Sequence, residues 1–255
     1  MLIFVVGLTV GLLSTVIGMG GGILMVPALT ALAGLPQIEA MATSLGTIAL
    51  ISAWNTWRYH RLGLVRWKVV VWIAISSGLC AAAAGTIAPY LPEKVLIGLL
   101  ILVLLALARK TFQLRPVSVK EATDKTTNKI ASLSIGSLGG LIAGFTGIDG
   151  GGITTSLMLV SGITENRTTV PTSNAIMIFT TTAGALAFAL NGSWTWPRLG
   201  LIHADFTLLL ATGAIISSFI GIHLNQLIQL KTRKTILGYI LLSIALRLIY
   251  QLATR

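Results

Sequence analysis

Long apolar stretches separated by short polar breaks set the pattern of this chain. The apolar runs fall at 2–17, 23–34, 40–57, 69–89, 95–108, 132–147, 153–163, 170–190, 206–227 and 235–253. Runs of this length without strict alternation predict helices, and an all-α polytopic membrane architecture. The one extended polar stretch is 109–129, which holds Arg109, Lys110, Arg115, Lys120, Lys125 and Lys129 against Glu121 and Asp124. Its composition cannot build a packed core. It divides the chain into a first membrane repeat at 1–110, a cytoplasmic linker at 111–129 and a second membrane repeat at 130–255.

The runs 2–17 and 23–34 are each short of the roughly 20 residues that a full span requires, and the triplet Gly20-Gly21-Gly22 separates them. Two short helices meeting at a break inside the membrane fit this pattern, as a V or a re-entrant hairpin. The pattern returns in the second half. Gly150-Gly151-Gly152 matches the first triplet, Thr172-Ser173 matches Thr43-Ser44, and RLGL at 61–64 recurs at 198–201. Matched landmarks in one order indicate a duplication, a common way to build secondary transporters. Each half then consists of a glycine-broken first segment followed by three transmembrane helices.

Charge sets the orientation. Arg58, Arg61, Arg66 and Lys68 lie between two runs, and the linker follows two crossings later on the same side. Both read as cytoplasmic, with the turn at Pro89–Lys94 outside. If each broken segment enters and leaves on one side, the halves are inverted and both termini lie outside. If each is one bent crossing, the halves are parallel and both termini lie inside. The cluster Lys231, Arg233 and Lys234 favours the inverted form.

Composition agrees with a lipid solvent. Of 255 residues, 55% are hydrophobic and 10% charged, and the mean hydropathy is +0.89, against about a quarter charged in an ordinary soluble domain. The net charge of +11 sits in short loops rather than on a folded surface, which argues against a nucleic-acid partner. A single cysteine, Cys80, excludes a disulfide within the chain. His60, His203 and His223 are too scattered for a metal site, and neither a cofactor motif, an HExxH nor a P-loop is present. These absences argue against an enzyme. The six tryptophans fall mostly near run ends, as an aromatic belt does.

The glycine triplets carry the candidate chemistry. A helix that begins just after Gly20, Gly21 and Gly22, or after Gly150, Gly151 and Gly152, directs free N–H groups and the positive end of its dipole at whatever lies there. Two such ends near the midplane form an anion site without a charged side chain. Close helix packing is the competing explanation of the glycines. Thr43 and Ser44 follow the first motif; Thr154 lies inside the second, and Thr172, Ser173 and Asn174 follow it. Their hydroxyl and amide groups can donate to sulfonate or carboxylate oxygens, or bond their own helix instead. Asp149 is the one carboxylate at membrane depth and is a candidate for proton coupling or for a helix cap. Glu39, Glu165 and Asp205 read as solvated charges at the interfaces.

These residues carry a resemblance. GLLSTVIGMGGGILMVPAL at 11–29, ATSL at 42–45 and the second GGG…TS block resemble the TauE/SafE family of sulfite and sulfonate exporters (the toluene-sulfonate uptake permease group) over essentially the whole chain. The resemblance implies transport of small anions such as sulfite, sulfonates or related organic anions, driven by a proton or other ion gradient, in a bacterial or archaeal cell membrane. Gly18, Gly20, Gly21, Gly22, Pro27, Ala42, Thr43 and Ser44 follow the family pattern. The second half departs from it: Asp149 stands where a small or apolar residue is usual, Thr154-Thr155-Ser156 replaces apolar residues, and the proline expected near Leu157 is missing. A non-transporting membrane assembly subunit is the alternative of another class. The oligomeric state stays open, a homo-oligomer included.

Overall fold

The computed structural model describes residues 2–17, 21–113, 129–227, 239, 241–250 and 252. Gly20, most of the linker, and the Lys231, Arg233 and Lys234 cluster lie outside the described residues. The described helices are α1 (Leu2–Ile17), α2 (Gly22–Leu32), α3 (Gln37–Arg61), α4 (Trp67–Ile87), α5 (Glu93–Gln113), α6 (Lys129–Thr146), α7 (Gly151–Val160), α8 (Asn166–Ala189), α9 (Ala204–Leu227) and α10 (Leu241–Tyr250). The segments Trp67–Tyr90, Lys129–Thr146 and Arg167–Ala189 are long and apolar enough to cross a bilayer. Leu79, Leu102, Ile130, Leu138, Leu186 and Ile216 point outward, and a ring of exposed aliphatic side chains is what a lipid solvent requires. Mostly helical and apolar on its outside, the chain is an integral membrane protein. One element lies outside the helical expectation. The second RLGL copy folds into a small antiparallel sheet, β1 (Trp194–Thr195), β2 (Arg198–Leu199) and β3 (Ile202–His203).

Both predicted helix breaks are present. α1 ends at Ile17, and α2 begins at Gly22 with Gly21 as its cap. Between α6 and α7, Gly147 and Gly150 take left-handed backbone angles of φ 70° and 64°, which an L side chain rarely adopts. Gly147 also presses on Met41, where a Cβ would stand 2.5 Å from the Met41 Cα.

Glycine contacts fix which helices run together. On α6, Gly136 abuts the Ile73 carbonyl of α4, Gly140 abuts that of Ser77, and Gly144 lies against Ala81 and Ala84. The two helices therefore run in the same direction, backbone against backbone, as small residues permit in lipid. On α1, a Cβ at Gly7 would stand 2.7 Å from the Leu210 carbonyl of α9, and Gly11 abuts Ala214. Those two helices are also parallel. Gly78 faces Phe179 and Ala183, and Gly85 faces Ala187 and Gly184, so α4 and α8 run together too. Because α3 and α4 form a hairpin, α3 is antiparallel to α8.

The loop at 33–36 defines one end of the molecule, here the Gly34 face, and the loop at 62–66 the other, the Gly63 face. α1 starts on the Gly34 face beside α9, and α2 returns to it before α3. Likewise α6 starts on the Gly63 face beside α4, and α7 returns to it before α8. At 1.5 Å per residue, α2 and α7 reach only about 15 Å, half of a hydrocarbon core of about 30 Å. α1 with α2 and α6 with α7 thus pair as two helical hairpins whose second helices, α2 and α7, end on opposite faces of the molecule. Arg58, Arg61, Arg66, Lys68, Lys129 and Arg167 gather on the Gly63 face, whereas Glu39, Glu93 and Asp205 lie with Lys94 and Arg198 on the Gly34 face.

Candidate functional site

The tips of the two hairpins meet inside the molecule. A Cβ at Gly22 would stand 3.1 Å from both the Asp149 nitrogen and the Ile148 Cα, and 2.8 Å from Ile48 Cδ1. The start of α2 therefore lies directly against the backbone of the second break. Ser44 on α3 secures that break from the side, donating its hydroxyl proton to the Gly147 carbonyl at 2.9 Å.

Each tip presents backbone donors. In α2 the ladder begins with Leu24 and Met25, whose N–H groups both reach the Gly21 carbonyl at 3.1 and 3.2 Å. The N–H groups of Gly22 and Ile23 precede that ladder, as the first donors of any helix do. In α7, Ile153 and Thr154 donate to the Gly150 carbonyl at 3.1 and 3.0 Å. Here the chain supplies its own acceptor: Asp149 Oδ1 accepts the Gly151 N–H at 3.0 Å. Asp149 is 2% exposed, and its Oδ2 is buried without a hydrogen-bond partner. The carboxyl thus occupies the end of α7, and the backbone of the same residue lies against the start of α2.

The predicted hydroxyl residues do not form a single cluster. Thr43 Oγ1 accepts the His203 N–H at 3.1 Å, and Thr172 Oγ1 accepts the Arg66 N–H at 3.2 Å. Each threonine fastens the start of its helix to the loop that follows the other helix, Thr43 toward the Gly34 face and Thr172 toward the Gly63 face. Asn55 donates to Asn174 at 3.4 Å, which sets the two helices in register. Along α3, Thr43 then stands about 18 Å from the level of Asn174, at 1.5 Å per residue. Ser173 makes a long bond, 3.4 Å, to the Gly151 carbonyl. Thr154 donates to the carbonyl of Gly150 at 3.0 Å, and Asn174 to that of Val170 at 3.0 Å, so both serve their own helices. The residues brought to the tips are Gly21, Gly22, Ser44, Asp149, Gly150 and Gly151, with Ser173 behind Gly151.

Glu39 departs from its expected solvated position. Its carboxylate lies 2.6 Å from His203 Nε2 and 3.8 Å from the Arg198 guanidinium, and it holds the small sheet against the start of α3. Replacing Thr43 by valine leaves the buried His203 N–H unpaired and costs about 1–3 kcal/mol, and replacing Thr172 leaves the half-buried Arg66 N–H unpaired at a smaller cost. Thermal unfolding of the purified protein should show a lowered midpoint for either variant, and roughly additive losses for the pair.

The model of the family described as Sulfite exporter TauE/SafE matches residues 3–248. The chain belongs to this family. It is similar to a probable membrane transporter protein of Methanocaldococcus jannaschii, 25% identical over 94% of this chain and 91% of that one. A probable membrane transporter protein of Haemophilus influenzae is 24% identical over 97% of each chain. The probable membrane transporter protein YunE of Bacillus subtilis is 24% identical over 98% of this chain and 97% of its own. No solved structure matches. Membership in TauE/SafE makes the chain a membrane transporter, and the region matched includes both hairpins.

The reading from sequence missed Gly7 and Gly11, which pair with Gly136 and Gly140 at a constant offset and make equivalent contacts. It also missed the involvement of Ile48, Met41 and Gly147 at the tips. The glycine spacing was visible as a signal. The side contacts were not, because they join residues about a hundred positions apart.

Proposed function

We propose that this chain is a secondary transporter of small anions, namely sulfite, sulfonates or related organic anions. Substrate binds where the two hairpin tips meet, and Asp149 carries the coupling proton. The observation that carries the proposal is the approach of Gly22 to the backbone of Ile148 and Asp149, which brings the N-terminal end of α2 against the break that holds a buried carboxyl. Backbone N–H groups and a helix dipole select an anion without a fixed positive charge. The tethered carboxylate of Asp149 already fills the end of α7, which leaves the end of α2 for substrate. A buried carboxyl oxygen without a partner is costly, and a proton on Oδ2 relieves that cost while removing the repulsion of an incoming anion.

We read the chain as two inverted repeats, 1–110 and 130–255, and the same contacts support this. The packing of Gly7 and Gly11 on α9 parallels that of Gly136 and Gly140 on α4. The Thr43 bond to His203 parallels the Thr172 bond to Arg66. Equivalent helices α3 and α8 run antiparallel, which is the signature of an in-plane two-fold axis. Such a pair can rock about a central site and open it alternately to each face. The basic residues assign the Gly63 face and the linker to the cytoplasm, with both termini outside.

Solute counterflow in proteoliposomes tests the function. Vesicles preloaded with unlabelled sulfite or sulfoacetate should accumulate the labelled anion, and phosphate or a bulky carboxylate should compete weakly. An assembly subunit without transport of its own gives no flux above empty vesicles. Orientation is tested separately in a Cys80→Ala background. A membrane-impermeant maleimide applied to whole cells should label Lys94→Cys and leave Lys68→Cys unlabelled until the cells are opened. The reverse pattern overturns the assignment of faces.

A further inference from the structure

A cavity opens on the outside of the molecule between α3 and α9. These two helices run parallel and leave a groove of about 460 Å³, walled by Leu50, Ala53, Trp54, Trp57, Leu208 and Ile215. The groove is apolar along its length and ends, toward the Gly63 face, in a group of aromatic and basic side chains. Trp54 lies 5.2 Å from Trp57 and 6.0 Å from Phe219, ring centre to ring centre. The Arg58 guanidinium stands 4.8 Å over the Phe219 ring, and that of Arg61 stands 5.1 Å over Trp57.

Two donors in this group are buried without an acceptor: Arg58 Nη1 and Trp54 Nε1. A buried donor without a partner is rare and costly, more so on a charged group. Both belong to one helix, one turn apart, at the head of the same groove. One group that carries several oxygens and negative charge can serve both donors. It also has an apolar body, because the groove continues from it. From Leu50 to Arg61, α3 rises about 16 Å, half of a hydrocarbon core of about 30 Å. That is the depth of one leaflet. We propose that this groove binds one anionic phospholipid of the leaflet on the Gly63 face. Its phosphate accepts from Arg58 and Trp54, Arg61 adds charge, and one acyl chain lies between α3 and α9. A zwitterionic headgroup offers the same phosphate but brings a cation toward two arginines, so the site discriminates between lipid classes. The ligand joins α3 of the first half to α9 of the second.

Native mass spectrometry of the full chain, released from detergent, tests this. The protein is titrated with phosphatidylglycerol and with phosphatidylcholine of the same acyl chains. One phosphatidylglycerol should stay bound, with a preference of about fivefold per arginine engaged. Arg58→Gln should erase the preference between the lipids. Trp54→Phe, which keeps an aromatic ring and removes the N–H, should weaken retention of both. Ala53→Phe fills the groove while leaving the donors in place, and should release both lipids; its melting midpoint without lipid checks that it folds. Equal retention of the two lipids by the unmodified protein overturns the proposal, as does an unchanged preference in Arg58→Gln. So does displacement of phosphatidylglycerol by inorganic phosphate alone, which would mark a free-anion site. A dimer that Ala53→Phe converts to lipid-free monomer would mark the groove as a self-association surface and equally overturn it.

Discussion

Replacing Gly22 by valine is expected to abolish anion transport and leave a folded protein. The Cβ alone would stand 3.1 Å from the Asp149 nitrogen and the Ile148 Cα, and backbone cannot yield as a side-chain end can. The two methyl groups of valine then force the start of α2 away from the second break. In the proposed site, that movement withdraws the N–H groups of Gly22 and Ile23 from the substrate. Hydrogen bonds to a charged group are worth about 1.5–3 kcal/mol each, so losing both weakens binding by roughly a hundredfold or more. Gly22→Ala is the graded control. Its nearest contact is Ile48 Cδ1 at 2.8 Å, the flexible end of a side chain, and it should retain part of the activity. Counterflow rates and substrate-dependent thermal shifts, read beside size-exclusion profiles, separate a lost site from a lost fold. Full counterflow in Gly22→Val would show that the meeting of the tips is packing and nothing more.

Asp149→Asn is expected to split exchange from accumulation. The amide oxygen can still accept the Gly151 N–H that Asp149 Oδ1 accepts at 3.0 Å, so the start of α7 stays capped. What disappears is a group that takes up and releases a proton. The variant resembles the protonated state permanently. It should bind sulfoacetate and exchange it across the membrane, yet fail to concentrate it when a pH gradient is imposed. Asp149→Ala removes the cap as well and adds a stability loss of about 1 kcal/mol, which distinguishes the two roles of the side chain. If gradient-driven accumulation survives in Asp149→Asn, the residue is a cap or a specificity element, and protons are coupled elsewhere or not at all.

Much of this arrangement was legible from sequence because hydrocarbon leaves the backbone few options. A glycine triplet between two apolar runs too short to span had to be a break, and both breaks lie where the triplets put them. The helix limits follow the apolar runs closely; α1 covers the predicted 2–17. The resemblance carried on Gly20–Gly22, Thr43 and Ser44 agrees with the family model over residues 3–248. What the sequence withheld are contacts between the halves. Thr43 and Thr172 look like ligands when each is read within its own half. In the fold, each accepts a backbone N–H from a loop of the other half, and nothing local announces that loop. The proposed inversion of the halves was hard to argue from sequence for the same reason. Charge counts barely separate inverted from parallel halves, whereas the antiparallel run of α3 and α8 depends on which helices touch. The second RLGL block misled in a smaller way. The first copy forms a turn, and the second becomes strand β2 because the longer loop after α8 lets it pair with its neighbours.

The central claim is that substrate sits at the joined tips of the two hairpins. Cysteine protection at the tip of the first hairpin tests it most directly, because it reports a place and not only an activity. Gly21 caps α2 with right-handed backbone angles, φ −66° and ψ −9°, so Gly21→Cys is compatible with the backbone there. The variant is made in a Cys80→Ala background and labelled with N-ethylmaleimide while a sulfonate such as sulfoacetate, which does not react with maleimides, is titrated in. Sulfoacetate should slow labelling of Gly21→Cys in a saturable manner, at the concentrations that drive counterflow, and leave labelling of Lys68→Cys unchanged. Labelling of Gly21→Cys that proceeds at one rate with and without saturating substrate, in a protein that still transports, would contradict it.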